Sequence, residues 1–388
     1  MNNNLEKKFE EIRARFPHTE KIVYFNAASN GPFSLDVKNT IEENMKVRMA
    51  AEIDDTPTGF ESAEELRAAY AGLIGASKND IGLGLNTSFG LNVVAFGLPL
   101  PPGSEILVSD IEFPSIVYAW RAAAERFGYK LKFVKSKDLI FDIDEFQKAI
   151  TPNSRVLCLS YVQFFNGYKN DLATLSKICK ENNLLFAVDG IQGMGTEPVD
   201  VKELGIDVFT SGCQKWMLSP QGCSFFYLDP AVRERMTVPF MSWLSVDWQM
   251  NFTSLFKYDN PYFDAVRKYE LGYYVVLNLV GMKAAVKYFQ QLGIKNIREH
   301  NHRLLDRLAA YLKSNPYYRI TSSMVEKHRS SILTFTCDRY KELFGEITKS
   351  KIILAQREGS IRVSAHLYNN AADIDKLIEV LDRFSKQV

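Results

Sequence analysis

The sequence has almost no net charge, because 47 basic and 46 acidic side chains among its 388 residues leave a formal charge of +1. Without an excess of lysine and arginine, the composition gives no sign of a nucleic-acid-binding protein. Long hydrophobic runs are missing as well: the longest uncharged stretch, between Asp80 and Glu105, is interrupted by glycine and proline, so we expect no membrane span. What is left is a globular composition, 46% hydrophobic and 24% charged, in a chain long enough for about two or three domains.

Cysteines are few, and their spacing forms no pattern. They are odd in number, and no two stand in a C-x-x-C arrangement: Cys158, Cys179, Cys213, Cys223 and Cys337. This argues against a disulfide framework and against a zinc site, so we expect no bound metal and a reducing compartment. The first residues are charged and helical in pattern rather than typical of a signal peptide, which favours a cytoplasmic protein.

Three common nucleotide-binding and catalytic motifs are also absent. The segment Gly82–Thr87 has two glycines of the dinucleotide fingerprint G-x-G-x-x-G but not the third, which argues against a nicotinamide-dependent dehydrogenase. Neither the phosphate-binding G-x-x-x-x-G-K-[ST] nor the zinc motif H-E-x-x-H occurs, and the histidines are scattered. The chemistry of the protein therefore has to come from residues that are far apart in the sequence.

What the sequence does contain is a regular alternation of short apolar runs and helical patterns. Seven runs have the length and composition of buried strands: Ile81–Leu85, Glu105–Ser109, Leu131–Val134, Arg155–Tyr161, Leu184–Val188, Asp207–Thr210 and Ser224–Leu228. Helical patterns lie between them: Ser88–Phe96, Ser115–Phe127, Ile143–Ile150 and Asp171–Asn182. This alternation predicts an α/β fold, in which helices cover a mostly parallel seven-stranded sheet.

The pattern changes in the last third of the chain, where helices dominate. The predicted elements are, in order, Ala265–Leu292 (one long helix or two in series), a helix over Asn296–Ser314, strands at Ser331–Cys337 and Ser360–Ser364, and a final helix over Ala372–Ser385. These elements form a smaller α+β unit. We therefore predict a large α/β domain over residues 20–262 and a small α+β domain formed by residues 1–19 together with 263–388.

Polar residues follow two neighbouring strands of the predicted sheet, at the edge where ligands bind to such sheets. Asp189 directly follows the buried run Leu184–Val188, and a buried carboxylate is costly unless it has a partner. Lys215 follows the next run along the chain and offers either a partner charge or an activated amine. The sequence therefore predicts that an acid and an amine meet at this edge.

Two further positions offer binding sites for anions. Thr87 and Ser88 open a helix directly after a strand, where free backbone N–H groups favour a phosphate. Arg362 lies in the predicted strand Ser360–Ser364, where its guanidinium can hold a carboxylate in a bidentate fork. An acid, an amine, a phosphate site and a carboxylate-binding arginine together describe an enzyme that uses pyridoxal 5′-phosphate on amino acids. In such a site the amine bonds the cofactor aldehyde and the acid keeps the ring nitrogen protonated.

The order of these residues resembles the class V aminotransferase family of pyridoxal phosphate enzymes of fold type I. That family includes cysteine desulfurases, kynureninases and proteins similar to isopenicillin N epimerase. The resemblance covers nearly the whole chain and rests on six segments in the same order: Tyr24–Ala28, Asn86–Asn92, Glu112–Ser115, Asp189–Gln192, Ser211–Lys215 and Arg362–Asn369. No single segment is specific, whereas the ordered set is.

The resemblance implies a role for each candidate residue. Lys215 would be the Schiff-base lysine, Asp189 the partner of the pyridine nitrogen, and Arg362 the anchor of the substrate carboxylate. Phe113 would stack on the cofactor ring. The other cofactor contacts would come from side chains at the ring hydroxyl and at the phosphate: Gln192 and Asn166 at the hydroxyl, and Thr87, Ser88, Ser211 and Gln214 at the phosphate.

Two departures from the family pattern bear on function. There is no cysteine between Phe344 and Arg362, where cysteine desulfurases carry their nucleophilic thiol, so a persulfide mechanism of that kind is disfavoured. The family commonly has Glu-x-Gly-Thr, whose threonine reaches the phosphate of the partner subunit, where this chain reads Glu270–Tyr273. Whether Tyr273 makes that contact stays open. The resemblance implies a homodimer that acts on a small amino-acid substrate, with no nucleic acid or membrane as partner.

The reaction that the resemblance favours is transamination of an amino acid. The same residues would also serve a C–S lyase, a kynureninase-like lyase or an amino-acid epimerase, because the side-chain pocket rather than the fold selects the reaction. A binding module without turnover is a remote alternative, since such a module has no need to keep both Lys215 and Asp189. The identity of the substrate is not predicted.

Overall fold

Twelve α-helices lie in the parts of the chain that the computed structural model describes, residues 3–51 and 56–387. In order they are α1 (Asn3–Arg13), α2 (Leu35–Ala50), α3 (Thr56–Ile74), α4 (Thr87–Gly97), α5 (Pro114–Phe127), α6 (Ile143–Ala149), α7 (Leu172–Glu181), α8 (Pro230–Arg235), α9 (Val276–Leu292), α10 (Ile294–Ser314), α11 (Tyr340–Lys349) and α12 (Ala371–Ser385). They form where apolar residues recur on one face: in α5, Ile116, Ala119, Trp120 and Ala123 are buried at positions i, i+3, i+4 and i+7. None of these helices is both long enough and apolar enough to cross a bilayer.

The strands of the described residues form one large sheet and three smaller ones. In order they are β1 (Val23–Tyr24), β2 (Ile81–Gly84), β3 (Glu105–Ser109), β4 (Lys130–Val134), β5 (Ser136–Lys137), β6 (Ile140–Phe141), β7 (Ser154–Ser160), β8 (Leu185–Asp189), β9 (Val208–Gly212), β10 (Ser224–Leu228), β11 (Arg319–Ile320), β12 (Ile332–Thr336), β13 (Ile352–Ile353), β14 (Ala355–Arg357) and β15 (Ser360–Ser364). The large sheet has seven strands in the order β2-β10-β9-β8-β7-β3-β4. The predicted α/β class and seven-stranded sheet are confirmed.

The direction of the strands decides where a site can form. All residues of β8, β9 and β10 are buried, as expected for strands with helices on both faces. Only β10 is antiparallel to its neighbours, β2 and β9, so β2 runs the same way as the other strands. The carboxyl ends of β2, β3, β7, β8 and β9 therefore lie along one edge of the sheet, and so do the loops that follow them.

A second sheet, entirely antiparallel, lies in the C-terminal part of the chain with the strand order β11-β12-β15-β14. Helices α10, α11 and α12 pack on it around a core of their own, in which several large apolar side chains are fully buried: Leu308, Phe335, Leu343, Ile347, Ile361, Val363 and Leu377. The C-terminal α+β unit predicted from the sequence is thus formed around this sheet.

The segment that precedes α2 runs between the two sheets. β1 pairs in parallel with β13, and Asn26 forms a further β-bridge with Ser364. Farther along, the N–H of Gly31 donates to the carbonyl of Gln214 at 2.8 Å, in the loop after β9. Residues 23–31 therefore connect the small sheet to the loop that carries the candidate amine.

The segment before α9 differs from the helix predicted to start at Ala265. Val266–Tyr269 forms a short 3-10 helix, and the φ angle of +73° at Gly272 is incompatible with a continuous helix. Between these, Glu270 is extended and buried, and its carboxylate accepts the backbone N–H of Leu83 at 2.9 Å. This tertiary contact on the edge strand β2 overrides the helical pattern.

The predicted division into two domains stays a prediction. Helix α9 packs on α2 and α3, and most of its large buried side chains belong to the same core as those of the large sheet. Helix α10 begins in that core and ends in the core of the small sheet. Its length therefore spans both cores.

Candidate active site

The carboxyl edge of the large sheet collects most of the residues selected from the sequence. Thr87 follows β2, Phe113 follows β3, Asn166 follows β7, Asp189 ends β8 and Lys215 follows β9. The structure therefore brings together residues from the carboxyl ends of five strands. The role of each toward a cofactor stays a prediction, and its surroundings are described below.

Asp189 is a buried acid with one unused oxygen. It is only 2% exposed and pairs across the strands with Ser160 on β7 and Thr210 on β9. Its Oδ1 accepts the N–H of Ile191 at 2.9 Å, whereas no described residue donates to Oδ2. Burial raises the pKa of this carboxyl to about 6, against the effect of the Ile191 hydrogen bond and of the Lys215 charge. The free oxygen can accept a hydrogen bond from a cationic N–H.

The amine of Lys215 has no polar partner of its own. Its Nζ lies 5.5 Å from the centre of the Phe113 ring and forms no hydrogen bond or ion pair with the described residues. Burial lowers the pKa of the amine to about 8; the Asp189 charge opposes this change, and the charges of Arg362 and Arg357 add to it. Near neutral pH a fraction of the amine is therefore unprotonated and can act as nucleophile or base.

The two groups influence each other without touching. Each charge shifts the pKa of the other, so Lys215 and Asp189 share one electrostatic environment. No ion pair forms between them. Neither group therefore neutralises the other by direct contact.

Phe113 presents an aromatic surface beside the amine. It is the N-cap residue of α5, and Pro114 at the first helical position fixes the direction in which the helix leaves the edge. Its ring packs edge-on against Phe164 at 5.2 Å between centroids, and the side chain is still 39% exposed. An exposed ring next to a buried amine can stack on a planar ligand.

The N-terminus of α4 presents polar groups beside the end of β9. The backbone N–H groups of Thr87 and Ser88 stand in the first turn, where they have no partner within the helix. The Thr87 Oγ1 accepts the N–H of Gly212 at 2.8 Å, which ties the helix to the end of β9. A Cβ on Gly212 would lie 2.5 Å from Gln214 Oε1 and 3.1 Å from Thr87 Oγ1. Glycine at this position therefore lets Gln214 and Thr87 pack closely beside the positive end of the α4 dipole.

Ser211 and Asn166 make their contacts elsewhere. Side chains alternate along a strand, so Ser211 faces away from the side of β9 on which Gly212 meets α4, and its hydroxyl donates to the Gly212 carbonyl at 3.1 Å. Asn166 uses its amide within its own loop and toward a neighbouring one, donating to the carbonyl of Leu139 and accepting the N–H of Tyr168, both at 3.0 Å. The structure does not bring these two side chains to the backbone N–H groups at the N-terminus of α4.

Gln192 also forms hydrogen bonds with the protein itself. Its Nε2 donates to the carbonyl of Ala28 at 3.0 Å, and its Oε1 accepts the indole N–H of Trp216 at 2.9 Å. The carbonyl of Trp216 in turn accepts from His366 Nε2 at 2.6 Å. Gln192 therefore connects the segment 23–31 to the residue that follows Lys215, and this connection fixes the backbone beside the amine.

Arg362 is a buried cation without a counterion. Only 1% exposed, it donates through Nη2 to Ser29 Oγ at 2.7 Å and through Nη1 to the carbonyl of Phe164. Its Nε has no hydrogen-bond partner, and no carboxylate of the described residues pairs with it. Burial, together with the charge of Arg357, lowers the pKa of the guanidinium to about 9. Such a group is stabilised by an anion that enters the site.

Sequence reasoning did not identify Ser29 or Arg357, although both lie in this environment. Ser29 belongs to the segment 23–31, and its hydroxyl accepts from both Arg362 and Arg357, the latter at 3.4 Å. The alternation of side chains along β14 and β15 is the signal that could have indicated Arg357, because it places the two arginines on the same face of the hairpin.

Glu112 is a second buried acid beside Asp189. Its Oε1 accepts the N–H of Ser160 and the amide of Gln163, both at 3.0 Å, and its Oε2 accepts the Ser160 hydroxyl. Burial raises the pKa of Glu112 to about 7, and the charge of Asp189 adds to this. Because Ser160 is the cross-strand neighbour of Asp189, Glu112 positions the strand end next to the candidate acid.

Taken together, the residues fit pyridoxal phosphate. The unused oxygen of Asp189 suits the ring nitrogen, the Phe113 ring suits the face of the pyridine, and the amine of Lys215 is available to the aldehyde. The free backbone N–H groups of Thr87 and Ser88 suit the phosphate. The signs of charge also agree, since the acid faces the site of a cationic nitrogen and the helix N-terminus faces a dianion.

Comparison with known proteins agrees with this geometry. The family model of the class-V aminotransferases matches residues 58–377, which is most of the chain. One curated relative is the uncharacterized aminotransferase YcbU of Bacillus subtilis, which is 22% identical over 370 residues that cover 95% of this chain and 96% of the relative.

Solved structures show the same fold. The apo cysteine desulfurase of Thermococcus onnurineus has a TM-score of 0.86 at 22% identity, and the match covers 98% of each chain. C-DES, a cystine C–S lyase, has a TM-score of 0.87 at 20% identity in a variant with glycine covalently linked to its pyridoxal phosphate cofactor. That match covers 95% of this chain and 98% of the other. The similarity confirms the predicted pyridoxal phosphate fold.

Proposed function

Since the chain belongs to the class V aminotransferase family, whose members are pyridoxal phosphate-dependent enzymes, we propose that Lys215 binds the cofactor covalently at the edge of the large sheet. The observation that carries this assignment is the buried amine without a polar partner, close to an acid with one unused oxygen. Asp189 holds the ring nitrogen, and the N-terminus of α4 holds the phosphate. Bound there, the cofactor serves as an electron sink for bonds broken at the α-carbon of an amino acid.

The side chains of this chain then bind the substrate and move its protons. Arg362 binds the substrate carboxylate, because it is a buried cation that pairs with no carboxylate of residues 3–51 and 56–387. With a substrate bound, Lys215 Nζ would be the base that takes up the α-proton and the acid that later gives it back. Its pKa of about 8 suits both directions of this transfer near neutral pH. Phe113 covers the ring but cannot exchange protons, so Lys215 is the proton carrier in the proposal.

Transamination is the reaction that these residues support best. It requires an amine that moves a proton between two carbons and a carboxylate anchor, and it requires no protein thiol. All five cysteines are buried, and burial raises the pKa of Cys213, the cysteine nearest to Lys215 in sequence, to about 12. A C–S lyase that uses no protein thiol is the second candidate, favoured by the similarity to C-DES.

A substrate screen with the purified holoenzyme distinguishes these reactions. We expect a keto acid to form from one class of amino acids only when a keto-acid acceptor is added, with the acceptor converted to its amino acid. Ammonia and sulfide or a thiol released without an acceptor would instead identify a C–S lyase. Inversion of the α-carbon alone would identify an epimerase. If none of the twenty amino acids, cystine or their D-forms reacts, the proposed enzymatic function is wrong.

We also propose that the enzyme is a homodimer. The segment 237–275 exposes many large apolar side chains in a single chain: Phe240, Met241, Trp243, Met250, Phe252, Leu255, Phe256, Tyr258, Tyr262, Leu271, Tyr273 and Val275. Large apolar side chains that are exposed together are typical of protein–protein interfaces. Tyr273 lies in this segment, stacked on Trp243 at 6.3 Å and 46% exposed, so a partner subunit can reach it. Sedimentation should give twice the chain mass of 44.2 kDa, and a single-chain mass at micromolar concentration would contradict the dimer.

A cytoplasmic location is part of the same proposal. The five cysteine thiols are buried and unpaired, and burial raises the pKa of Cys158 and Cys179 as it does that of Cys213. Thiols kept in this form suit a reducing compartment. Fractionation of the source cells with an antibody to the chain tests this location.

A further inference from the structure

Two arginines lie side by side at the entrance of the candidate site. In the hairpin of β14 and β15, Arg362 is paired with Ala355, and Arg357 is two residues farther along β14. Since side chains alternate along a strand, both arginines project from the same face as diagonal neighbours. The connection between the strands is only Glu358 and Gly359, both with positive φ angles (43° and 75°), so no long loop separates the two cations.

Neither arginine has a carboxylate partner among the described residues. Both guanidinium groups converge on one neutral acceptor, Ser29 Oγ, at 2.7 Å from Arg362 and 3.4 Å from Arg357. Arg362 is buried, whereas Arg357 is half-buried and lies nearer the turn. Two like charges this close repel each other, and the repulsion is relieved when anions bind to them.

The two guanidinium charges of Arg362 and Arg357 favour a ligand with more than one carboxylate. The cofactor phosphate is placed at the far end of the site, on α4, and Asp189 is committed to the ring nitrogen. A substrate with only its α-carboxylate would neutralise one guanidinium and leave the second without a counterion in a partly desolvated position. A substrate with a second anionic group would neutralise both.

We propose that the enzyme acts on amino acids that carry a second anionic group, with Arg362 binding the α-carboxylate and Arg357 binding the distal carboxylate, sulfinate or sulfonate. This inference rests on the proposed function, since it assumes that Arg362 anchors the substrate. Arg357 lies nearer the turn than Arg362, so the distal group points along the hairpin toward that turn. Arg357 then determines the class of side chain that is accepted.

Calorimetric titration of the holoenzyme with unreactive carboxylates tests the assignment without relying on turnover. We expect succinate or glutarate to bind about tenfold more tightly than butyrate, because only the dicarboxylates reach both guanidinium groups. Arg357→Gln should remove this preference and leave butyrate binding unchanged, while Arg357→Lys should retain part of it. Arg362→Gln should weaken all three ligands. Arg339→Gln, at the N-cap of α11 and outside the site, is the matched control and should change none of them.

Three titration results would contradict the proposed role of Arg357. If Arg357→Gln weakens butyrate as much as glutarate, both arginines hold a single carboxylate and the proposal is wrong. It is also wrong if the wild-type protein does not distinguish the ligands or binds none of them. These outcomes are separate from failure of the proposed function, which would show as absence of covalent cofactor on Lys215 whatever the carboxylate affinities are.

Discussion

Lys215→Ala is expected to abolish turnover, with kcat reduced on the order of 10⁴-fold or more, because the same amine binds the cofactor and carries the proton. The native holoenzyme should be yellow, and borohydride reduction should add the mass of the reduced cofactor to the peptide that contains Lys215. The variant should gain no such mass. Mass spectrometry of the digested protein, together with the rate of keto-acid formation, measures both effects.

The control for this experiment is Lys148→Ala, which removes an exposed lysine that pairs only with Glu145. It should keep both the rate and the reducible cofactor. A Lys215→Ala protein with wild-type turnover would show that another amine does the chemistry. Cofactor mass found on a different lysine would contradict the site as a whole.

The second large effect is expected for Asp189→Asn, which keeps the shape of the side chain but removes its charge. The ring nitrogen would lose its anionic partner in a buried place, so kcat should fall about 10²- to 10³-fold. The matched control is Asp229→Asn. Asp229 also follows a strand of the large sheet, but β10 runs antiparallel, so this carboxylate lies at the opposite edge. Steady-state kinetics on both variants should show the loss only at Asp189.

The same substitution, although it lowers kcat, should increase the free energy of unfolding of the cofactor-free protein. Burial raises the Asp189 pKa from 3.8 to about 6, so the folded state disfavours the ionised carboxylate at every pH above that value. As the pH falls from 6 to about 4, the folded carboxyl becomes protonated and most of the penalty is lost. Asp189→Asn should therefore stabilise the apoprotein by about 2 to 3 kcal/mol at pH 8 and by less than about 1 kcal/mol at pH 4. Urea unfolding at the two pH values measures this difference. Equal free energies of unfolding for the variant and the wild type at pH 8 would mean that burial does not raise the pKa of Asp189.

The parts of the fold that sequence predicts best are those with a strong local pattern. The runs that became β3, β7, β8, β9 and β10 are short, apolar and bounded by turns, and their positions agree within about two residues. The long helices α2 and α3 were not identified, because their hydrophobic residues form no clear stripe. The failure before α9 has a tertiary cause, since Glu270 is held by contacts with Leu83 and Arg67 that lie about two hundred residues away.

The candidate site also contains some residues that the sequence predicts and others that it does not. Asp189, Lys215, Phe113 and Thr87 follow strands whose direction is predictable, so their meeting at one edge could be inferred. Ser29 could not be inferred in this way, because its place depends on how the segment 23–31 crosses to β15. Arg357 was missed although the alternation of side chains along β14 and β15 could have indicated it. The hydrogen bonds of Gln192 were also not predictable, because its partners Ala28 and Trp216 come from two separate segments.

The crossing of residues 23–31 has a consequence for biosynthesis. The edge proposed to bind the cofactor consists of residues 87–215 and is joined by β10, all of which leave the ribosome long before β13 and β15 have been translated. The substrate-binding side needs both β1 and these late strands, because Ser29 and Arg362 meet only when they have paired. A nascent chain can thus form its cofactor pocket first and becomes selective for amino acids only when translation is almost finished.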